Sequence, residues 1–139
     1  MADKVQHIDS LASLKSLTDS TKYVVLDFTA VWCPPCKAIA PIYAKLAAEH
    51  AVEGKLAFGK VDVDEAPEVA KQFGVTAMPT FLFLVDGELA GVEVGDKVSG
   101  GGAQMVEDGS TKIASIRGAD PKNLAAVVQE LGRLAREEA

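Results

Sequence analysis

Cys33 and Cys36 are the only two cysteines of the chain, and they stand in the stretch Trp32-Cys33-Pro34-Pro35-Cys36-Lys37. A Cys-x-x-Cys pair can close and open a disulfide, supply half of a metal site, or be two inert buried thiols. Half a zinc site needs two further ligands, and the only histidines, His7 and His50, lie far from the pair and have no useful spacing between them. No metal is therefore expected. The pair falls between an apolar run and the first turn of a helix, a placement that gives it redox meaning. With Cys33 at the helix cap, its sulfur faces unpaired backbone donors and the positive end of the helix dipole, which favour thiolate over thiol. Cys33 is thus the expected nucleophile. Pro34 and Pro35 fill the first helical positions, where a missing N–H matters least, so the Cys36 amide is the nearest donor left to the Cys33 sulfur. Cys36, one turn in, is suited to resolve a mixed disulfide.

Other residues could serve that chemistry. Asp27 lies inside Val24-Val25-Leu26-Asp27-Phe28, where a carboxylate is out of place unless it has a task or a partner. It could face outward on a half-exposed strand. If the helix folds back over the sheet, it lies beneath the Cys36 sulfur instead, where burial raises its proton affinity and lets it take the Cys36 proton. Lys60, on a neighbouring strand, could partner that carboxylate or be a solvated strand-end lysine. Trp32 is the only tryptophan, and its place beside the nucleophile favours a flat wall next to the sulfur over core filling. Met78-Pro79 stands at a strand entry, where a proline is tolerated.

The elements that must position these residues alternate in period along the chain. Lys4 to Ile8 reads as a short edge strand, and Asp9 or Ser10 caps a helix carrying Leu11, Leu14 and Leu17. Tyr23 to Ala30 is a continuous β-branched and aromatic run, the pattern of a central strand covered on both faces. The helix after Pro34-Pro35 shows Ile39, Ile42, Tyr43, Leu46 and Ala47 on one face, with Pro41 expected to kink it. Leu56 to Val63 reads as a second buried strand, Asp64 to Pro67 as entry to a short helix, and Thr80 to Val85 as a third strand. Asp86-Gly87 is a hairpin signal leading into Glu88 to Val94, and Asp120-Pro121 opens a last helix with a stripe of Leu124, Val127, Val128, Leu131 and Leu134. The order predicts an α/β layer with helices on both faces of a mixed sheet.

Composition sets the bounds. The chain has 139 residues, enough for one domain. With 48% hydrophobic and 24% charged residues it has ample material for a core. A net charge of -6 is the wrong sign for binding phosphate backbones, so nucleic acid is not an expected partner. The amino terminus lacks an apolar core behind a basic start, and no run of about 18 apolar residues occurs. A cytosolic chain without a membrane span is expected, and a monomer, since no apolar stripe beyond the core calls for a partner.

Taken together, these residues resemble the thioredoxin family. The resemblance runs through Val25-Leu26-Asp27-Phe28, Trp32 to Lys37, Ile39-Ala40-Pro41, Lys60-Val61-Asp62-Val63-Asp64, Phe73 to Phe81 and the last helix. Ala77-Met78-Pro79-Thr80-Phe81 is closer to eukaryotic members, and Arg117-Gly118-Ala119-Asp120-Pro121 looks like those of fungi. The resemblance implies a thioredoxin fold over residues 1–139 and a protein-disulfide reductase. Cys33 would attack a substrate disulfide, Cys36 would release the product, and a thioredoxin reductase would return electrons from NADPH, with no cofactor bound. It also implies Asp27 as buried proton acceptor, Lys60 as its ion-pair neighbour, and a cis proline at Pro79 whose loop backbone at Met78 pairs with the substrate.

Two departures stand out. The family's usual dipeptide between the cysteines is Gly-Pro, here Pro34-Pro35, and that dipeptide helps set the potential of the pair. The segment Asp96 to Arg117, with Gly100-Gly101-Gly102 and Asp108-Gly109, is not expected by the family pattern and suggests a mobile connection and an added hairpin. Gly95 and Gly118 both match the family glycine that borders the substrate groove, so the added segment could precede or follow the native edge strand. A thiol oxidase or isomerase would use the same residues, and a non-catalytic binding module would leave the cysteines incidental.

Overall fold

The computed structural model describes residues 4–89, 91–93, 103–105 and 112–137. Its strands are β1 (Val5–His7), β2 (Tyr23–Thr29), β3 (Leu56–Asp62), β4 (Thr80–Val85), β5 (Val92–Glu93), β6 (Ala103–Met105) and β7 (Lys112–Arg117). Its helices are α1 (Leu11–Ser20), α2 (Pro34–His50), α3 (Pro67–Gln72) and α4 (Pro121–Glu137). The sheet order is β1-β3-β2-β4-β7-β5, with β6 also paired to β7. β1, β3 and β2 run parallel, while β4 is antiparallel to β2 and β7 antiparallel to β4.

Alternation along β2 divides the core. Tyr23 and Val25 face α2 and α4, in a cluster with Tyr43, Leu46, Phe58, Phe81, Leu124 and Leu131. Val24, Leu26 and Phe28 face the other way, with Leu14 and Leu17 of α1 and Val69 and Ala70 of α3. Every residue of β2 is buried, the polar Asp27 and Thr29 included, as the β-branched and aromatic run around them predicts for a central strand. Truncating a fully buried ring such as Phe28 to alanine costs about 3–5 kcal/mol. Helix α1 starts on a reciprocal Ser10–Ser13 cap, and α2 continues through Pro41 to His50.

The carboxyl-terminal part of the sheet differs from the simplest sequence reading. Asp86 and Gly87 form the expected two-residue turn, both at positive φ (52° and 82°). Val85 and Glu88 exchange two backbone hydrogen bonds across it. The chain then leaves β4, and Val92–Glu93 pairs with β7. The neighbour of β4 on the side away from β2 is β7, which buries Ile113, Ala114, Ser115 and Ile116, whereas the Glu88 to Val94 stretch offers only Val92 among its described residues to that core. β7 leads into Gly118 and α4, so the carboxyl-terminal end of the segment Asp96 to Arg117 is a strand of the main sheet. β6 pairs antiparallel with β7, as the Asp108-Gly109 signal predicts for its flanks. The triple glycine, Gly95 and the Asp108-Gly109 pair expected to turn the chain lie outside the described residues.

Candidate active site

Cys33 sits where β2 hands over to α2. Its N–H donates to the Ala30 carbonyl at 3.2 Å, turning the chain, and its own carbonyl accepts from Lys37 N–H at 3.2 Å, starting the helix. Pro34 and Pro35 occupy the first helical positions and donate nothing. The Cys36 N–H is therefore free to donate to Cys33 Sγ, at 3.3 Å. The two sulfurs are joined in a disulfide with a Cα–Cα distance of 5.3 Å and are both buried, in a small apolar cluster with Ala30, Val63 and Met78.

The loop before β4 closes over this pair. Cys33 Sγ lies 3.7 Å from the Met78 carbonyl oxygen, and the Met78–Pro79 peptide bond is cis. Two contacts pin the loop from behind. Thr80 Oγ1 donates to the Ala77 carbonyl at 2.7 Å, and Gly118 N–H donates to the Pro79 carbonyl at 2.7 Å. Gly118 has φ of 96°, a conformation suited to glycine, so the residue after β7 reaches the loop with no Cβ penalty. Gly118 thus borders the cis-proline loop, and nothing is described for Gly95.

Trp32 is 61% exposed, which removes core filling as its role. Its Nε1–H donates to Asp64 Oδ2 at 2.7 Å, and the Asp64 N–H is itself held by Asp62 Oδ1 at 2.9 Å. In the sequence Asp64 is a helix-entry residue with no mark of a site. Only the pairing of a strand-end turn with the indole reveals it.

Asp27 is 2% exposed on the face of β2 that looks toward α2. Lys60 is its register partner on β3. Burial pushes the Asp27 carboxyl from 3.8 up to about 7, against a smaller lowering by the charge of Lys60. Asp27 and Lys60 line a small cavity under α2 with Val5, Ala40, Tyr43 and Ala44. A second, open groove of about 510 Å³ holds Cys36 and shares Ala40 and Lys60 with that cavity. Ala40 is one helical turn from Cys36, so the two spaces link the resolving position to Asp27 along one face of α2. A further groove, of about 410 Å³, runs between Val63, Pro67, Ala70, Val75 and Met78, two of which, Val63 and Met78, pack against the cysteines. Another of about 610 Å³ lies at the far end of the molecule around Val52 and Gly54 and holds neither cysteine. No group of three or more metal-ligating side chains occurs among the described residues.

The family profile described as Thioredoxin matches residues 5–108. The chain belongs to the thioredoxin family. A thioredoxin-like protein of Fusarium culmorum is 45% identical over 133 residues, covering 96% of this chain and 95% of its own. The thioredoxin of Neurospora crassa is 42% identical over 139 residues, covering 100% and 95%. Among solved structures, the thioredoxin of Malassezia sympodialis superposes with a TM-score of 0.68 at 33% identity, covering 94% of this chain and 93% of that one. The thioredoxin fold and the fungal likeness anticipated from Trp32 to Lys37 and from Arg117 to Pro121 are both met. Like other thioredoxins the chain is a thiol–disulfide oxidoreductase, a protein-disulfide reductase by class, with one internal disulfide. No helix among the described residues is long and apolar enough to cross a membrane.

Proposed function

We propose that the chain reduces protein disulfides in the cytosol, with Cys33 as attacking thiolate and Cys36 as resolving thiol, and that a thioredoxin reductase returns the electrons from NADPH. One observation carries this assignment of roles: the Cys36 amide donates to Cys33 Sγ at 3.3 Å at the amino end of α2. In the reduced protein the same N–H and the helix dipole favour negative charge on Cys33.

The Cys33 thiolate attacks one sulfur of the substrate disulfide, forming a mixed disulfide and releasing the first substrate thiolate. Cys36 then loses its proton toward Asp27 and attacks Cys33 Sγ, and the bonding pair leaves on the second substrate sulfur. Two electrons pass to the substrate, and the Cys33–Cys36 disulfide remains for the reductase. Lys60 tempers the charge on Asp27. The exposed indole of Trp32, the Met78 carbonyl, Pro79 and Gly118 form the rim on which an extended substrate segment lies, the Met78 backbone pairing with it.

The test is the reduction potential of the pair, measured by equilibration against a thiol buffer of known poise. A value near about -270 mV makes the protein a reductant, and one near about -180 mV or above makes it an oxidant or isomerase, with Pro34 as the residue to exchange next. Cys33→Ser that keeps full activity would reduce the chain to a binding module.

A further inference from the structure

Tyr43 shares the inward face of α2 with Cys36 and Ala40, spaced four and then three residues apart. Its ring is buried against Phe58 and Phe81, with centroids 5.8 and 5.5 Å away. A phenol at such a place needs a partner for its O–H. Tyr43 Oη donates to the Gly59 carbonyl of β3 at 2.7 Å, with the Val25 carbonyl of β2 at 3.1 Å. The hydroxyl has one proton, which these carbonyls take, and its lone pairs remain available to accept.

Tyr43 and Asp27 line the same cavity of about 70 Å³, together with Lys60. Asp27 Oδ1 is fully buried there with no hydrogen-bond partner among the described residues. A polar cavity of this size admits a water molecule. The surroundings hold few other charges. Lys60 faces the cavity from β3, β4 places Phe81 opposite Asp27, and β1 contributes Val5. The adjoining groove beyond Lys60 carries His7, Lys37, Asp62 and Glu65. A carboxylate oxygen and a hydroxyl whose proton is engaged elsewhere are both acceptors, and two acceptors in one enclosed space are reconciled by a proton.

We propose that Tyr43 is a positioning residue of the thiol–disulfide reaction: with its own proton held by β3, Tyr43 Oη accepts from the protonated Asp27 carboxyl, directly or through one water, and so favours proton transfer from Cys36 to Asp27. The inference rests on the reading of Asp27 as the proton acceptor. Closeness of the two groups also shows in the phenol, whose proton affinity is raised well above its usual value by burial first and by the Asp27 charge second.

The experiment is an infrared titration of the Asp27 carboxyl in the full-length disulfide form, with Asp27→Asn identifying the band. Tyr43→Phe keeps the ring and removes the hydroxyl, both its acceptor lone pairs and the O–H that donates to the strand carbonyls, and it is expected to lower the carboxyl midpoint by about one pH unit. Lys60→Met, which removes a stabilising cation from the same cavity, is expected to raise it. Opposite signs exclude a general loosening of the cavity. An unchanged or raised midpoint in Tyr43→Phe overturns the proposal, as does a shift of both variants in one direction. The reaction itself is followed by the rate at which Cys36 resolves a preformed mixed disulfide across pH. If Asp27→Asn resolves it at the unaltered rate at every pH, the base assignment fails, while the hold of Tyr43 on the carboxyl is decided by the infrared midpoint alone.

Discussion

Asp27 and Lys60 stand opposite each other in register on the adjacent parallel strands β2 and β3, yet the carboxyl oxygen Oδ1 has no hydrogen-bond partner among the described residues. Lys60 acts through space, and burial outweighs it, so the carboxyl holds its proton up to about pH 7. A buried acid kept close to neutrality is a poor element of stability and a serviceable base.

That conflict predicts a pH-dependent gain on removing the charge. The folded protein binds the Asp27 proton up to about pH 7, while the unfolded chain releases it near 3.8. Between those values the folded state holds more protons, so the contribution of Asp27 to stability falls as pH rises and reaches its full unfavourable value above about 7. The difference corresponds to roughly 4 kcal/mol at most. Asp27→Asn should therefore raise the urea midpoint at pH 8 by much more than at pH 4, in matched redox states. Equal gains at both pH values would assign the effect to packing.

The two cysteines should separate cleanly when replaced. Cys33→Ser abolishes turnover and forms no covalent adduct, because the attacking sulfur is gone. Cys36→Ser forms the mixed disulfide and cannot resolve it, so the adduct accumulates and is visible by mass spectrometry without reductant. A trapped adduct in Cys33→Ser in place of Cys36→Ser would exchange the roles.

Much of this arrangement is legible in the sequence, and what is not has a physical reason. The β2 run, the Pro34-Pro35 helix start and the position of Asp27 are local patterns, and each element formed where its pattern stood. The partner of β4 is not local. The Asp86-Gly87 turn forms as its residues dictate, but the strand beside β4 comes from Lys112–Arg117, selected by burial of Ile113 and Ile116 after a long excursion. The parts played by Tyr43 and Asp64 depend on register. Tyr43 reads as a core residue of α2 until its hydroxyl is seen between two strand carbonyls, and Asp64 reads as a turn residue until Trp32 is placed on it.

The Trp32–Asp64 bond makes a specific prediction about substrate binding. An exposed indole without an anchor samples several rotamers, whereas a 2.7 Å bond to a carboxylate holds it beside Cys33. Asp64→Ala should raise KM for a protein disulfide about fivefold, equivalent to about 1 kcal/mol, and leave the reduction potential in place. Asp64→Asn keeps an acceptor and should lose less. A changed potential with constant KM would mean that the carboxylate acts on the sulfurs and not on the indole.

Gly132 tests the packing that seats α2 on α4. Glycine inside a helix costs about 1 kcal/mol relative to alanine, so an open site would reward the exchange. Here a Cβ would lie 2.6 Å from His50 Nδ1, 3.2 Å from His50 Cγ and 3.0 Å from Arg136 Nη1. The arginine tip can swing away, but Nδ1 and Cγ form the root of the imidazole and move only if the whole ring leaves the helix interface. Overpacking of this kind costs about 1–3 kcal/mol, so Gly132→Ala should be destabilising despite the better helix former. The double variant His50→Ala/Gly132→Ala removes the clash and keeps the propensity gain. Urea unfolding of the four proteins of this cycle should therefore show the double variant more stable than Gly132→Ala alone, with a favourable coupling of about 1 kcal/mol or more. Simple additivity would mean that α4 shifts to admit the methyl group and that the glycine is not there for the histidine.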